Sequence, residues 1–191
     1  MSRSPELLHR VESRLLLVDL QEKLLPVMQQ SDAIVENCRR LAVGAGLFGV
    51  PVSVTEQYPQ GLGATVPALA EFAIGAIPKR EFSCVPVLPW CQGFDEPTEP
   101  TPSNASPTHD ARRQIVIAGI EAHVCVQQTV FDLLSVGFSV YVVADGISSR
   151  QTLMGRTHQA DAMPGRSSTT HLRGRPFGVV RNLGPTWPSS R

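Results

Sequence analysis

The sequence predicts one α/β domain, a three-layer α/β/α sandwich around a central parallel sheet. Short, unbroken apolar runs alternate with segments of helical periodicity, a pattern typical of βαβ units. The runs lack the polar alternation of a half-exposed sheet, so they fit strands that are buried on both faces. The chain has 191 residues, enough for one such domain with a buried core but not comfortably for two.

The first half of the chain supplies two strands and a helix. The run Arg14 to Asp19 is apolar, ends in a carboxylate and predicts the first strand. Ser31 and Asp32 offer an N-cap to a helix with apolar residues at helical spacing as far as Ala45. The β-branched run Val50 to Thr55 predicts the second strand.

The second half continues the alternation. Val66 to Ile77 has a weaker helical period, and Gln114 to Gly119 predicts another buried strand. His123 to Val136 predicts a helix that Gly137 ends, and Phe138 to Ala144 predicts the strand after it. Strands and helices in this order predict right-handed crossovers in a parallel sheet.

Two segments depart from the pattern. Val85 to Ala111 has six prolines in 27 residues and no periodicity, which is unusual inside a compact domain. From Gln151 to Arg191 the chain is rich in Arg, Ser, Thr, Gly and Pro, and apolar periodicity stops. We therefore expect a domain over residues 13–150, interrupted at 85–111, followed by an atypical tail at 151–191.

Composition narrows the class of partner. Lys+Arg and Asp+Glu number 17 each, so no net field favours nucleic acid or an anionic membrane. No apolar run approaches the roughly 20 residues that span a bilayer, and Met1 to Glu12 lacks the apolar core of a secretory signal. The four cysteines show no CxxC spacing and predict reduced thiols in a cytoplasmic protein; they are Cys38, Cys84, Cys91 and Cys125.

Polar residues lie where strands end. In an open parallel sheet, ligands bind outside the carboxyl ends of the strands, and Asp19, Glu56 and Gln57 all fall there. Cys125 falls in the first turn of the helix after the third buried strand, where the helix dipole lowers the pKa of a thiol. A packed thiol at Cys125 and an aspartate that only caps or turns the chain at Asp19 also explain these positions. Position alone therefore leaves both the structural and the functional interpretation open.

Five segments, in order, resemble the isochorismatase-like hydrolases. They read L-L-L-V-D-L-Q-E-K-L-L-P, T-E-Q-Y-P-Q-G-L-G, P-K-R-E-F-S-C, V-I-A-G-I-E-A-H-V-C-V-Q-Q-T and V-V-A-D-G-I-S-S-R. The resemblance covers residues 14–84 and 112–150, and the family's three-layer sandwich agrees with the fold predicted from periodicity. The family's last helix and strand have no counterpart in residues 151–191, so we interpret this tail as disordered or as translated out of frame. If the codons for Arg173 to Val180 are read one base later, they permit E-V-V-L-L-E-W, which is similar to the family's ending.

The resemblance implies a catalytic triad of Asp19, Lys79 and Cys125. Cys125 attacks a carbonyl or similar carbon as a thiolate. Asp19 moves the proton, and Lys79 keeps Asp19 ionised and supports the thiolate. The resemblance also implies an oxyanion hole of backbone N–H groups, shaped by a cis peptide bond at Ile120–Glu121.

The resemblance also bears on the substrate. Glu56, Gln57 and Tyr58 are expected to bind it, but they stand where nicotinamidases of this superfamily carry part of an Asp-His-His metal site. No histidine lies between His9 and His109, so we expect neither metal nor cofactor.

The function predicted is a metal-independent cysteine hydrolase, forming homo-oligomers and cleaving a small amide, imide or other C–N bond through a thioester-type intermediate. The alternative is an inactive, poorly folded relative that acts only as an oligomer-forming protein. A nucleotide-binding domain is disfavoured because D-L-Q-E-K follows the first strand in place of a glycine-rich loop. For His123 we favour a buried position at the helix start over contact with the substrate.

Overall fold

A computed structural model describes residues 7–92 and 112–150, together with the backbone of Val179 and Val180. The strands are β1 (Ser13–Val18), β2 (Val52–Gln57), β3 (Ile77–Lys79), β4 (Gln114–Ile120), β5 (Ser139–Ser148) and β6 (Val179–Val180). The helices are α1 (Ser31–Leu47), α2 (Pro59–Leu62) and α3 (Gln127–Ser135). A π-helical turn, Ala122–Val126, leads directly into α3.

The strand order is β3-β2-β1-β4-β5-β6. The first five strands are mutually parallel, and the short β6 runs antiparallel to β5. In the centre, Val18 of β1 lies opposite Thr55 on one side and Gly119 on the other. The carboxyl ends of β1, β2 and β4 therefore meet at one edge of the sheet.

Strand β1 separates two apolar layers because successive side chains of a strand point to opposite faces. Leu15 and Leu17 pack with the buried face of α1. Leu16 and Val18 pack with the buried face of α3. Helices thus cover both faces of the sheet, and the three-layer sandwich predicted from the sequence is confirmed.

Gly119 is required where β4 passes β1. Its φ is +128°, a conformation that side-chain-bearing residues rarely adopt. A Cβ at this position would also collide with the backbone carbonyl and nitrogen of Val18. The glycine lets the two central strands approach closely just before the chain turns towards Cys125.

Three local predictions were wrong. Val66 to Ile77 is not a helix, because a 3-10 segment, Pro67–Phe72, is followed by the edge strand β3. Ser31 does not cap α1 but is its first residue, since the left-handed turn (φ 53°) lies at Gln30. His123 is exposed rather than buried, because it lies on the outer side of the π-helical turn.

The proline-rich segment is structured where it is described. Two 3-10 turns, Val85–Val87 and Pro89–Cys91, follow β3. They bury the side chains of Leu88 and Cys91 against the layer that contains α3. Residues 93–111 and the tail, apart from β6, lie outside the described residues, so the domain boundaries and our interpretation of the tail stay predictions. Among the residues that are described, no helix is long and apolar enough to cross a membrane.

Candidate active site

The structure brings Asp19, Lys79 and Cys125 together at the carboxyl edge of the sheet. Asp19 directly follows β1, Lys79 is the last residue of β3, and Cys125 lies in the turn after β4. Asp19 has a left-handed backbone conformation, with φ at 54°. Its backbone N–H donates to the Thr55 carbonyl at 3.1 Å, which fixes the residue against β2.

Lys79 and Asp19 form a fully buried ion pair. The Lys79 Nζ atom lies 2.7 Å from Asp19 Oδ2, and both side chains are 0% exposed. The ammonium also donates to Gln57 Oε1 at 2.6 Å and to the Phe82 carbonyl at 3.1 Å. Burial disfavours the charge on Lys79, but the Asp19 carboxylate and the nearby thiols outweigh it and raise the pKa of the ammonium. Lys79 is therefore a fixed cation beside the carboxylate.

Cys125 is a protonated thiol that faces a carboxylate. Burial, the charge of Asp19 and a hydrogen bond to Asp19 raise the pKa of the Cys125 thiol to about 12, although Lys79 opposes the shift. The expectation of a lowered pKa at a helix start is therefore wrong for the resting protein. Desolvation and the adjacent carboxylate outweigh the ammonium. The Cys125 sulfur therefore carries its proton at neutral pH.

The turn that carries Cys125 is held in place on both sides. Thr129 Oγ1 donates to the Cys125 carbonyl at 2.6 Å and accepts from the Cys84 N–H at 3.0 Å. At its start, the Glu121 carbonyl accepts from the N–H groups of Val124 and Val126 at 3.1 and 3.2 Å. Cys125 is therefore tied to the loop after β3, which also contacts the Lys79 ammonium.

The peptide bond Ile120–Glu121 is cis, as the resemblance implied. Ile120 is fully buried at the end of β4. The Glu121 carboxylate turns outward, where Arg150 Nε, on a side chain that is 57% exposed, lies 3.0 Å from its Oε1. The side chain of Glu121 is thus engaged at the surface, and its backbone borders the turn that carries Cys125.

The three residues expected to bind substrate have different surroundings. Gln57 contacts the site directly, since its Oε1 accepts from Lys79 and its Nε2 donates to the Arg80 carbonyl at 2.7 Å. Glu56 instead accepts two 2.8 Å hydrogen bonds from the backbone N–H and hydroxyl of Thr65. Tyr58 lies at the rim, 42% exposed, with the Arg80 guanidinium 4.5 Å from its ring centre.

Sequence reasoning missed two residues that organise the site. Gln21 is 0% exposed; its Oε1 accepts from the Gln57 N–H at 2.7 Å and its Nε2 donates to the Gly63 carbonyl. Thr55 is also buried, and its hydroxyl donates to Asp19 Oδ1 at 2.9 Å. The strand end at Thr55 was recognisable, but no local pattern distinguishes a buried glutamine that bonds two distant backbones from a surface one.

In the part of the chain that the structure describes, no three His, Cys, Asp or Glu side chains are grouped so that they could hold a metal ion. The Nδ1 atom of His123 lies 2.8 Å from Ser149 Oγ, which ties the turn to the end of β5.

Comparisons with known proteins identify the family of this chain. The model of the isochorismatase domain matches residues 107–169. The mouse isochorismatase domain-containing protein 2A is 35% identical over 169 residues, which cover 84% of this chain and 74% of the mouse protein. This chain belongs to the isochorismatase family. Solved proteins of this family share the three-layer α/β/α scaffold described above.

The similarity to individual relatives is partial. The solved MAR1 ribonuclease of Caenorhabditis elegans is 35% identical, with a TM-score of 0.62 over 76% of this chain and 69% of that one. The Danio rerio isochorismatase domain-containing protein 2 is 38% identical over 72% of this chain, but the match spans only 64% of that protein. The YcaC structure from Pseudomonas aeruginosa, at 22% identity and a TM-score of 0.58, shares the fold.

Proposed function

We propose that this protein is a metal-independent cysteine hydrolase that cleaves a small amide, imide or other C–N bond. The observation that carries the proposal is the convergence of a thiol, a carboxylate and an ammonium at one buried edge of the sheet. The charge of the Asp19 carboxylate acts on the buried Cys125 thiol and raises its pKa, and the carboxylate is paired with the Lys79 ammonium at 2.7 Å. A nucleophile in contact with a base that a third group orients is the general arrangement of covalent catalysis.

The chemistry follows from the resting protonation state. Asp19 accepts the Cys125 proton as sulfur attacks the substrate carbon, and the buried negative charge passes from the carboxylate to the developing oxyanion. Asp19 then gives that proton to the leaving nitrogen as the C–N bond breaks, which leaves a thioester on Cys125. Water attacks the thioester with Asp19 again as base, and the thiol is regenerated.

Lys79 and the backbone supply the electrostatics. Lys79 remains protonated throughout and offsets the negative charge wherever it lies among Asp19, the sulfur and the oxyanion. Backbone N–H groups at Cys125 and near Glu121 form the oxyanion hole in this proposal. Gln57 orients the ammonium, and Tyr58 contributes to binding at the rim of the site.

The proposal includes neither a metal nor a cofactor, and the partner is a small molecule. A cytoplasmic location fits the four cysteines, all of which are free thiols. The predicted homo-oligomer stays a prediction, which sedimentation velocity of the full chain tests directly.

An amide screen with matched variants tests the function. Ammonia or amine release from a panel of small amides and imides is measured for wild type, Cys125→Ser and Cys38→Ala. We expect activity that falls at least about a thousandfold in Cys125→Ser, since the poorer nucleophile faces the same base. Cys38 is also buried but lies on α1, which covers the other face of the sheet, so its variant retains activity.

Two results would contradict the proposal. One is equal amide hydrolysis by wild type and Cys125→Ser. The other is a wild type that is folded by circular dichroism but releases no amine from any substrate, which would favour the inactive relative. An RNA substrate belongs in the same panel because the C. elegans neighbour is described as a ribonuclease; RNA cleavage that survives loss of Cys125 would also contradict the cysteine mechanism.

A further inference from the structure

Thr55 holds Asp19 at two points. Its backbone carbonyl accepts from the Asp19 N–H at 3.1 Å, and its hydroxyl oxygen lies 2.9 Å from Asp19 Oδ1. The Thr55 side chain is 0% exposed, so water does not compete for these bonds. With Lys79 on Oδ2, each oxygen of the carboxylate has its own protein donor.

The direction of the Thr55 hydroxyl follows from counting protons. An ionised carboxylate only accepts hydrogen bonds, so the single hydroxyl proton of Thr55 points to Asp19. The Cys84 sulfur lies 3.4 Å from the same oxygen and must donate its own proton in that contact. Burial raises the pKa of the Cys84 thiol to about 11, which keeps this donor protonated at neutral pH.

We infer that Thr55 is a positioning residue, which orients the Asp19 carboxylate for proton transfer from Cys125. The inference rests on the proposed cysteine mechanism and adds a residue to it. Lys79 and Thr55 together fix the plane of the carboxylate, so that its remaining lone pairs face the thiol. Without the hydroxyl, Oδ1 loses the Thr55 donor, and the carboxylate can rotate about its Cβ–Cγ bond.

The test compares four proteins. Thr55→Val keeps the size of the side chain but removes the donor, and Thr55→Ser keeps the donor. Ser53→Ala is the matched control, since Ser53 lies two residues earlier on the same face of β2. Its hydroxyl is engaged away from Asp19, since it accepts from Trp90 Nε1 at 3.1 Å.

Two readouts separate positioning from mere support of the fold. On an amide that wild type hydrolyses, Thr55→Val is expected to lower kcat about 10- to 100-fold, because misoriented general bases lose much of their contribution. KM should stay within about twofold, because Thr55 is buried behind Asp19 and does not touch substrate. Thr55→Ser restores kcat, and Ser53→Ala leaves it unchanged.

The second readout needs no substrate. Iodoacetamide alkylation of Cys125, followed by peptide mass spectrometry at neutral pH, is expected to be several-fold slower in Thr55→Val than in wild type. A variant that only loosens the fold would instead alkylate faster.

The outcomes distinguish the two proposals. Amide hydrolysis that is independent of Cys125 overturns the proposed function, whereas the alkylation comparison reports on Thr55 without any substrate. A folded Thr55→Val that alkylates at the wild-type rate overturns the inference. If Thr55→Val does not fold, the smaller Thr55→Ala takes its place, and an unchanged alkylation rate in that variant counts equally against Thr55.

Discussion

Replacing Lys79 by methionine removes one half of the buried ion pair and leaves the Asp19 charge without its cation. Both side chains are 0% exposed, so water cannot replace the lost partner. Breaking a buried pair from one side costs about 3–5 kcal/mol. Since the stability of a whole domain is about 5–15 kcal/mol, Lys79→Met is expected to be close to unfolding.

The free energy of unfolding is measured by urea titration with circular dichroism. Lys23→Met is the matched control, since its ammonium is exposed and donates to the Gly61 carbonyl at 2.9 Å; we expect a change within about 0.5 kcal/mol. In Asp19→Asn/Lys79→Met the orphaned charge is gone, so the double variant should lose less stability than the sum of the two single variants, by about 0.5–3 kcal/mol. A Lys79→Met protein within about 1 kcal/mol of wild type would refute the assignment of a tightly coupled buried pair.

Three further predictions concern the scaffold. Gly119→Ala forces a Cβ into the Val18 backbone at a φ of +128° and should lower the free energy of unfolding by more than about 3 kcal/mol. Gly46→Ala is the control, because this helical site has open space around it. The control should gain about 0.5–1 kcal/mol in the same urea titration. Gln21→Met leaves the Gln57 N–H and the Gly63 carbonyl without these partners and should cost about 2–4 kcal/mol, and a loss below about 0.5 kcal/mol would show that water replaces them. Burial raises the pKa of the Cys38 thiol from 9.0 to about 12. The stability that this shift gives the folded protein is therefore complete below pH 9. It declines above pH 9 because the thiol then ionises only in the unfolded chain. At pH 10.5 the free energy of unfolding has lost about 2 kcal/mol through this thiol. In Cys38→Ala, the free energy of unfolding should therefore fall less steeply from pH 9 to 10.5.

The central fold was predictable because its signal is local. β1, β4 and β5 contain unbroken apolar runs, which are typical of strands that are buried on both faces. β2 was recognisable from its β-branched residues. Strand β3 was missed because it has only three residues, Ile77–Lys79, and contains a proline at the edge of the sheet. Its pairing with β2, rather than its composition, makes it a strand.

The site was only partly predictable, for a related reason. Strand ends locate Asp19 and the turn that carries Cys125, but the side chain that pairs with Asp19 comes from β3, which shows no strand pattern. Lys79 was therefore identified by resemblance and not from spacing. The protonation state of Cys125 was predicted wrongly because a helix start is visible in the sequence, whereas burial beside a carboxylate depends on tertiary contacts.

Trapping the covalent intermediate tests the central claim most directly. Wild type is mixed with an amide that it hydrolyses, quenched in acid within one turnover and analysed by intact mass and peptide mapping. The account predicts the mass of one acyl group on the peptide that contains Cys125, and no adduct in Cys125→Ser. An acyl group on Cys84 or Cys91 would contradict the account. So would rapid turnover with no adduct at any quench time, if the Cys125→Ser variant hydrolyses the amide equally well.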